Sequence, residues 1–172
     1  MTVEGTHRDQ HLSSARGRLW KHWLLVTNLV LALLLIGVVA APALNAAGLS
    51  QYADLIHTAF LMLCPQRPEH SYFLFGYQTA LEHREIAMIG ALLVGGMAYG
   101  LLRPLPPLPF WLLLVACIPI SWDILSQMLE LRESDWFTRT WTGALSCLAY
   151  VFCLYPLFDR SPKWHPVSHS LR

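Results

Sequence analysis

Eighteen consecutive residues from Leu24 to Ala41 carry no charge, and Pro42 closes the run. A helix needs about 20 mostly apolar residues to cross about 30 Å of hydrocarbon, and a soluble core helix rarely stays apolar on every side for so long. Trp20 and Trp23 precede the run, where an indole favours the boundary between lipid and water. The run therefore reads as a membrane span. Small residues follow it (Ala40, Ala41, Ala43, Ala46, Ala47), as at a cleavage site, but its apolar core exceeds the roughly 7–15 residues of a secretory signal.

Three further segments follow the same logic. Ile86 to Leu102 is rich in Gly and Ala and ends at Arg103; Phe110 to Leu125 is apolar except for Ser121 and Asp123; Trp141 to Phe158 is closed by Asp159 and Arg160. Hydrophobic residues make up 55% of the chain and charged residues 13%, against about 25% charged in an average globular chain. A bilayer can solvate that apolar excess and water cannot. The net charge of +1, with no basic run, excludes nucleic acid as a partner. Leu49 to Leu63 is helical in pattern but carries Gln51, Asp54 and His57, too short and too polar to span, so it predicts an interfacial or partly inserted helix before Cys64. The expected fold is all-α: an integral membrane four-helix bundle with that additional short helix. It comprises a polar tail at 1–19, one four-span membrane domain at 20–159 and a second polar tail at 160–172. The proline-rich run Arg103 to Pro109 predicts a stiff connection between spans two and three.

Orientation follows from the basic residues. With the N-terminus inside, inner segments hold Arg8, Arg16, Arg18, Lys21, Arg103, Arg160, Lys163 and Arg172, eight of the twelve; Arg67, Arg84, Arg132 and Arg139 fall outside. The excess of Lys and Arg on one side predicts cytoplasmic termini.

With that topology the polar chemistry gathers at the outer face. Glu82 and Glu85, three apart at the start of span two, are expected to share a helix face in a first turn, where negative charge is favourable. Span three carries Asp123, Ser126, Gln127 and Glu130 at spacings of three, four and seven. Span four answers with Arg139, Thr142, Gly143 and Ser146 at the same spacings. A carboxylate at membrane depth is costly unless paired, so the two stripes predict an Asp123–Arg139 ion pair. Gly96 with Gly100, and Ala87, Ala91 and Gly95, read as close helix packing. Cys64, Cys117, Cys147 and Cys153 form no C-x-x-C pair, and the last three lie in apolar segments as packing residues. His57 and His70 read as interfacial polar residues.

The segment Pro119-x-x-x-Asp123-x-x-Ser126-Gln127, continuing through Leu131-Arg132-Glu133-Ser134 to Arg139-x-x-Thr142-Gly143, resembles the hallmark of a prokaryotic membrane-protein family. That family is known as domain of unknown function 2085. Cys64-x-Gln66-Arg67-Pro68-x-x-Ser71-x-x-x-x-Gly76 is similar to its other motif, and together the two cover about residues 60 to 145. The family pattern places a histidine after the first cysteine and a Cys-Ala-Arg-Cys-Thr-Gly block at the next helix. Here the histidine is Pro65 and the block reads Glu82-His83-Arg84-Glu85-Ile86-Ala87, so the dithiol of the typical member cannot form. The resemblance implies a shared fold, location in the inner (plasma) membrane of a prokaryote, and no known activity.

A polar cluster of Gln66, Arg67, Arg84, Asp123, Gln127, Arg132, Arg139 and Thr142 is the candidate site. Cys64, Glu82, His83, Glu85 and Asp123 are the candidate ligands of a divalent metal of the Mn, Fe or Zn kind. The chain lacks H-E-x-x-H, G-x-S-x-G and P-loop signatures, so no enzyme class is assigned. The expectation is a multi-pass accessory subunit or partner-binding protein, with the bilayer, membrane proteins or further copies of itself as partners. The alternatives are a metal- or cofactor-binding protein at the outer face, and a small enzyme or transporter relaying protons through Asp123.

Overall fold

The computed structural model describes residues 4–103 and 105–158, with side chains from His22 onward. Five helices and one hairpin follow in the order α1 (Glu4–Ala46), α2 (Ser50–Phe60), β1 (Ser71–Leu74), β2 (Tyr77–Glu82), α3 (His83–Leu102), α4 (Phe110–Met128) and α5 (Trp136–Phe158). Four helical stretches are long and apolar enough to cross a membrane: His22–Ala46 of α1, and all of α3, α4 and α5. The helix α1 already starts at Glu4, well before its span. The tail at 160–172 lies outside the described residues.

The spans pack in the order α1, α3, α5, α4, so that span two lies against span four rather than span three. Missing side chains make the seams. A methyl group on Gly95 of α3 would sit 3.2 Å from both Leu148 and Val151 of α5, and one on Gly143 of α5 would sit 3.1 Å from the Arg84 backbone oxygen. Gly96 and Gly100 turn the other way and face Asn28 and Leu24 of α1. The stiff link from Arg103 to Pro109 carries the chain past α5, tied down where the Leu108 N–H donates to the Phe152 carbonyl at 3.2 Å. That is why α4 ends on the far side of α5.

Two apolar clusters mark the ends of the bundle. Leu24, Tyr99, Val151 and Tyr155 close one end, with Trp23 packed edge-on against Tyr155. Val38, Ala41, Phe60, Cys64, Ala80 and Leu81 close the other, where α2 folds back so that the Phe60 ring covers Gly37. Ala53 and Phe60 face inward from α2 while Tyr52, Leu55, Leu61, Met62 and Leu63 are exposed, the pattern of a helix lying along an interface.

The stretch after Cys64 is a two-stranded antiparallel hairpin, the one sheet among the described residues. Leu74 pairs with Tyr77 across a two-residue turn, Phe75–Gly76, in which both residues have positive φ (56° and 84°). That is the mirror-image turn whose twist suits a tight hairpin. Ser71 pairs with Glu82 but Phe73 with Gln78, four steps on β2 against two on β1, so β2 bulges. The Thr79 hydroxyl fills the bulge by donating to the Tyr72 carbonyl at 3.1 Å.

Candidate functional site

The bulge brings Glu82 to the start of α3 in extended conformation (φ −77°, ψ 167°), as the residue before the helix. Glu82 and Glu85 therefore do not share a first turn as expected; only Glu85 lies in it. The two still converge, because Glu82 approaches from the strand. Together with Cys64 they form a group in which the sulfur and one oxygen of each carboxylate lie within 4.8 Å of one another.

Each member is held by local chemistry. Cys64 is capped into the end of α2 by its N–H on the Phe60 carbonyl at 3.1 Å. Gln66 then takes positive φ (54°), and its side chain clasps α2: Nε2 donates to the His57 carbonyl at 2.7 Å and Oε1 meets His57 Nδ1 at 2.8 Å. Burial pushes the Cys64 thiol above its ordinary pKa, while the Gln66 and Glu82 backbone N–H groups that reach the sulfur pull it back. Glu82 Oε1 accepts from the Arg67 backbone N–H at 3.1 Å; the Arg67 side chain itself is exposed. Glu85 has a buried carboxylate oxygen with no hydrogen-bond partner.

A second set surrounds Asp123, which is buried in α4. Arg84 donates to Oδ2 at 2.5 Å and Arg132 to Oδ1 at 2.8 Å. The expected Asp123–Arg139 pair is thus replaced by two others, for a steric reason. Arg84 lies across Gly143, whose missing methyl group would touch Arg84 Cγ at 3.2 Å, so its guanidinium passes over α5 to reach α4. Arg132, just beyond α4, folds back onto the same carboxylate.

Arg139 turns instead toward the hairpin. Its guanidinium donates to the Ser134 carbonyl at 3.2 Å, to His70 Nε2 at 3.0 Å and to Gln127 Oε1, and lies 3.9 Å from Glu82 Oε2. His70 must present a lone pair at Nε2 to accept from an arginine, which puts its proton on Nδ1, 3.7 Å from Glu82. Burial first, then the Arg139 charge, hold the His70 pKa below its ordinary value, in keeping with a neutral ring. Gln127 joins the two sets, since its Nε2 also donates to the Asp123 carbonyl at 2.7 Å.

Of the five candidate metal ligands, Cys64, Glu82 and Glu85 come together. Asp123 is taken by arginines, and His83 turns its ring edge-on to Tyr72 with centroids 4.2 Å apart. Thr142 spends its hydroxyl on the Thr138 carbonyl of its own helix at 2.7 Å. His70, read from the sequence as an interfacial polar residue, is part of the site. Only the hairpin, which carries it back over α5, could have revealed that.

The family of predicted membrane proteins DUF2085 matches residues 64–153, from Cys64 through the hairpin and α3 to α5. The chain belongs to this family. An uncharacterised protein of Methanocaldococcus jannaschii is 30% identical to it over 106 residues, covering 60% of this chain and 68% of the relative. No solved structure matches. Within this DUF2085 chain the matched region contains every residue of both polar sets, and membrane location follows from the family and the four spans together.

Proposed function

We propose that this chain is a membrane-anchored metal-binding protein whose site is Cys64, Glu82 and Glu85. The carrying observation is a thiol and two carboxylates from three segments converging within 4.8 Å, one carboxylate with a buried oxygen that no hydrogen bond satisfies. Two unit charges 4.8 Å apart repel by about 3 kcal/mol at an effective dielectric constant of about 20, and the Arg139 guanidinium at 3.9 Å offsets only one carboxylate. A divalent cation turns that repulsion into attraction. Zn–S near 2.3 Å and Zn–O near 2.0 Å in a tetrahedron put donor atoms about 3.5 Å apart, so the group needs to contract by roughly 1 Å. One thiolate and two carboxylates suit Zn, Fe or Mn, with a remaining position for water or a partner's donor.

In this reading the chain lies in the inner membrane of a prokaryote with both termini cytoplasmic, as the distribution of Lys and Arg favours, and the metal sits at the outer face. A proton relay through Asp123 is disfavoured, because both its oxygens are engaged by arginines.

Metal content by mass spectrometry tests the proposal. Detergent-purified protein from cells supplied with Mn, Fe and Zn, prepared without chelator, is expected to carry about one equivalent of metal. A Glu82→Ala/Glu85→Ala variant that keeps its helical circular dichroism is expected to carry none. Metal-free wild type, or full metal in the variant, refutes the site.

A further inference from the structure

An open cleft of about 480 Å³ that Cys64 does not line runs between β1 and the start of α5. Tyr72, Phe73 and Trp136 give it aromatic walls, and Glu69 and Asp135 give it two carboxylates. Among the described residues no lysine or arginine lines it. The walls are fixed: the Tyr72 hydroxyl bonds Thr140 Oγ1 at 2.9 Å. Asp135 accepts from the Thr138 N–H at 3.3 Å, and the Thr138 side chain beside it holds its carboxyl below the usual range. That carboxylate is ionised at neutral pH.

His83 also lines the cleft and decides what it takes. The residue is only 8% exposed, yet its Nδ1 has no hydrogen-bond partner. The ring lies against the Ser71 backbone on one side and edge-on to Tyr72 on another. In a neutral ring with its proton on Nε2, Nδ1 is a lone pair, an acceptor awaiting a donor. A buried acceptor left unmet is unfavourable, and a native fold usually meets it with protein, water or ligand.

We propose that this cleft binds a primary ammonium group. Aromatic faces and carboxylates attract any organic cation, quaternary or primary. Only a cation with N–H bonds also satisfies the His83 lone pair, so a primary amine is preferred over a quaternary one. Anions are excluded by Glu69 and Asp135. An aminoethyl group has this chemistry, whether carried on a lipid headgroup or free in solution.

The test is native mass spectrometry of the full chain released from detergent, titrated with phosphatidylethanolamine, phosphatidylcholine and phosphatidylglycerol of matched acyl chains. Phosphatidylethanolamine is expected to be retained about tenfold better than the other two, the difference one unmade hydrogen bond to a buried acceptor produces. His83→Phe keeps an aromatic edge against Tyr72 and is expected to erase the preference for ethanolamine over choline. Glu69→Gln, on the exposed rim, is expected to weaken both and carries the test should His83→Phe not fold. Free ethanolamine that displaces the lipid identifies the amine itself as sufficient; failure to displace, with headgroup selectivity intact, identifies the lipid as the source. Equal retention of the three headgroups, or a preference that survives His83→Phe in folded protein, overturns the proposal.

Discussion

Replacing Asp123 with Asn removes one negative charge from between two guanidiniums while keeping the shape of the side chain. The consequences for the two arginines differ because their exposures differ. Asp123 has 1% of its side chain exposed, Arg84 15% and Arg132 45%. Arg132 can swing into water, so its share is that of a surface pair, at most about 1 kcal/mol. Arg84 cannot: it is threaded over Gly143, and its Nε already lacks a partner. Breaking a buried pair by removing one member costs about 3–5 kcal/mol, and the small exposure of Arg84 favours the lower end. We expect Asp123→Asn to destabilise the protein by about 3 kcal/mol, more than a hundredfold in the unfolding equilibrium at about 1.4 kcal/mol per tenfold. Arg132→Ala should cost about 1 kcal/mol or less. Removing both charges, as Arg84→Met/Asp123→Leu, should recover most of the loss, since apolar side chains of similar volume replace a buried pair at little cost. Equilibrium unfolding in mild-detergent micelles titrated with sodium dodecyl sulfate reads all three. The reasoning is refuted if Asp123→Asn costs no more than Arg132→Ala, or if the double variant is no more stable than Asp123→Asn.

The same assay reaches three other features. Gly143→Ala places a methyl group 3.1 Å from the Arg84 carbonyl and from Met88, where backbone must give way, and should cost about 1–3 kcal/mol; a neutral result would mean that the α3–α5 seam is looser than its contacts indicate. Phe75, 70% exposed at positive φ, should be improved by glycine by about 1 kcal/mol, and destabilisation instead would show that its ring is packed. Because the folded state holds His70 below its ordinary pKa, the unfolded chain binds more protons just below pH 6.5. Stability is therefore complete above about pH 6.5 and falls as pH drops through that value toward the depressed one. His70→Gln should show a smaller loss between pH 7.5 and pH 5 than wild type, and an equal loss would exclude His70 as the titrating group.

The spans were legible because hydrocarbon thickness sets a length and a composition that few other structures require. Gly96 and Gly100 were legible as packing positions for a similar reason, since small residues four apart make one flat strip on a helix. The hairpin was not. Its turn is Phe75–Gly76 rather than Asn-Gly, and β2 carries Gln78, Thr79 and Glu82 without strict alternation because a bulge interrupts it. The stripes on α4 and α5 correctly place Asp123 and Arg139 on facing sides, but spacing along a helix cannot say how far an arginine from a third helix will reach. Arg84 crosses α5 because position 143 is glycine, a fact that becomes a contact only once the order of packing is known.

That order has a consequence for how the protein is made. Chains enter the membrane from their N-terminal end, so α4 arrives while α5, the helix it packs against, is still being synthesised. During that interval Arg84, at the start of α3, and Arg132, four residues beyond α4, are the partners of the finished cluster already made that can neutralise Asp123. When α5 follows, it must fit beneath the Arg84 side chain at position 143. The glycine at 143 is then a doorway: it leaves room for the last helix to lie under an arginine that reaches across it to Asp123.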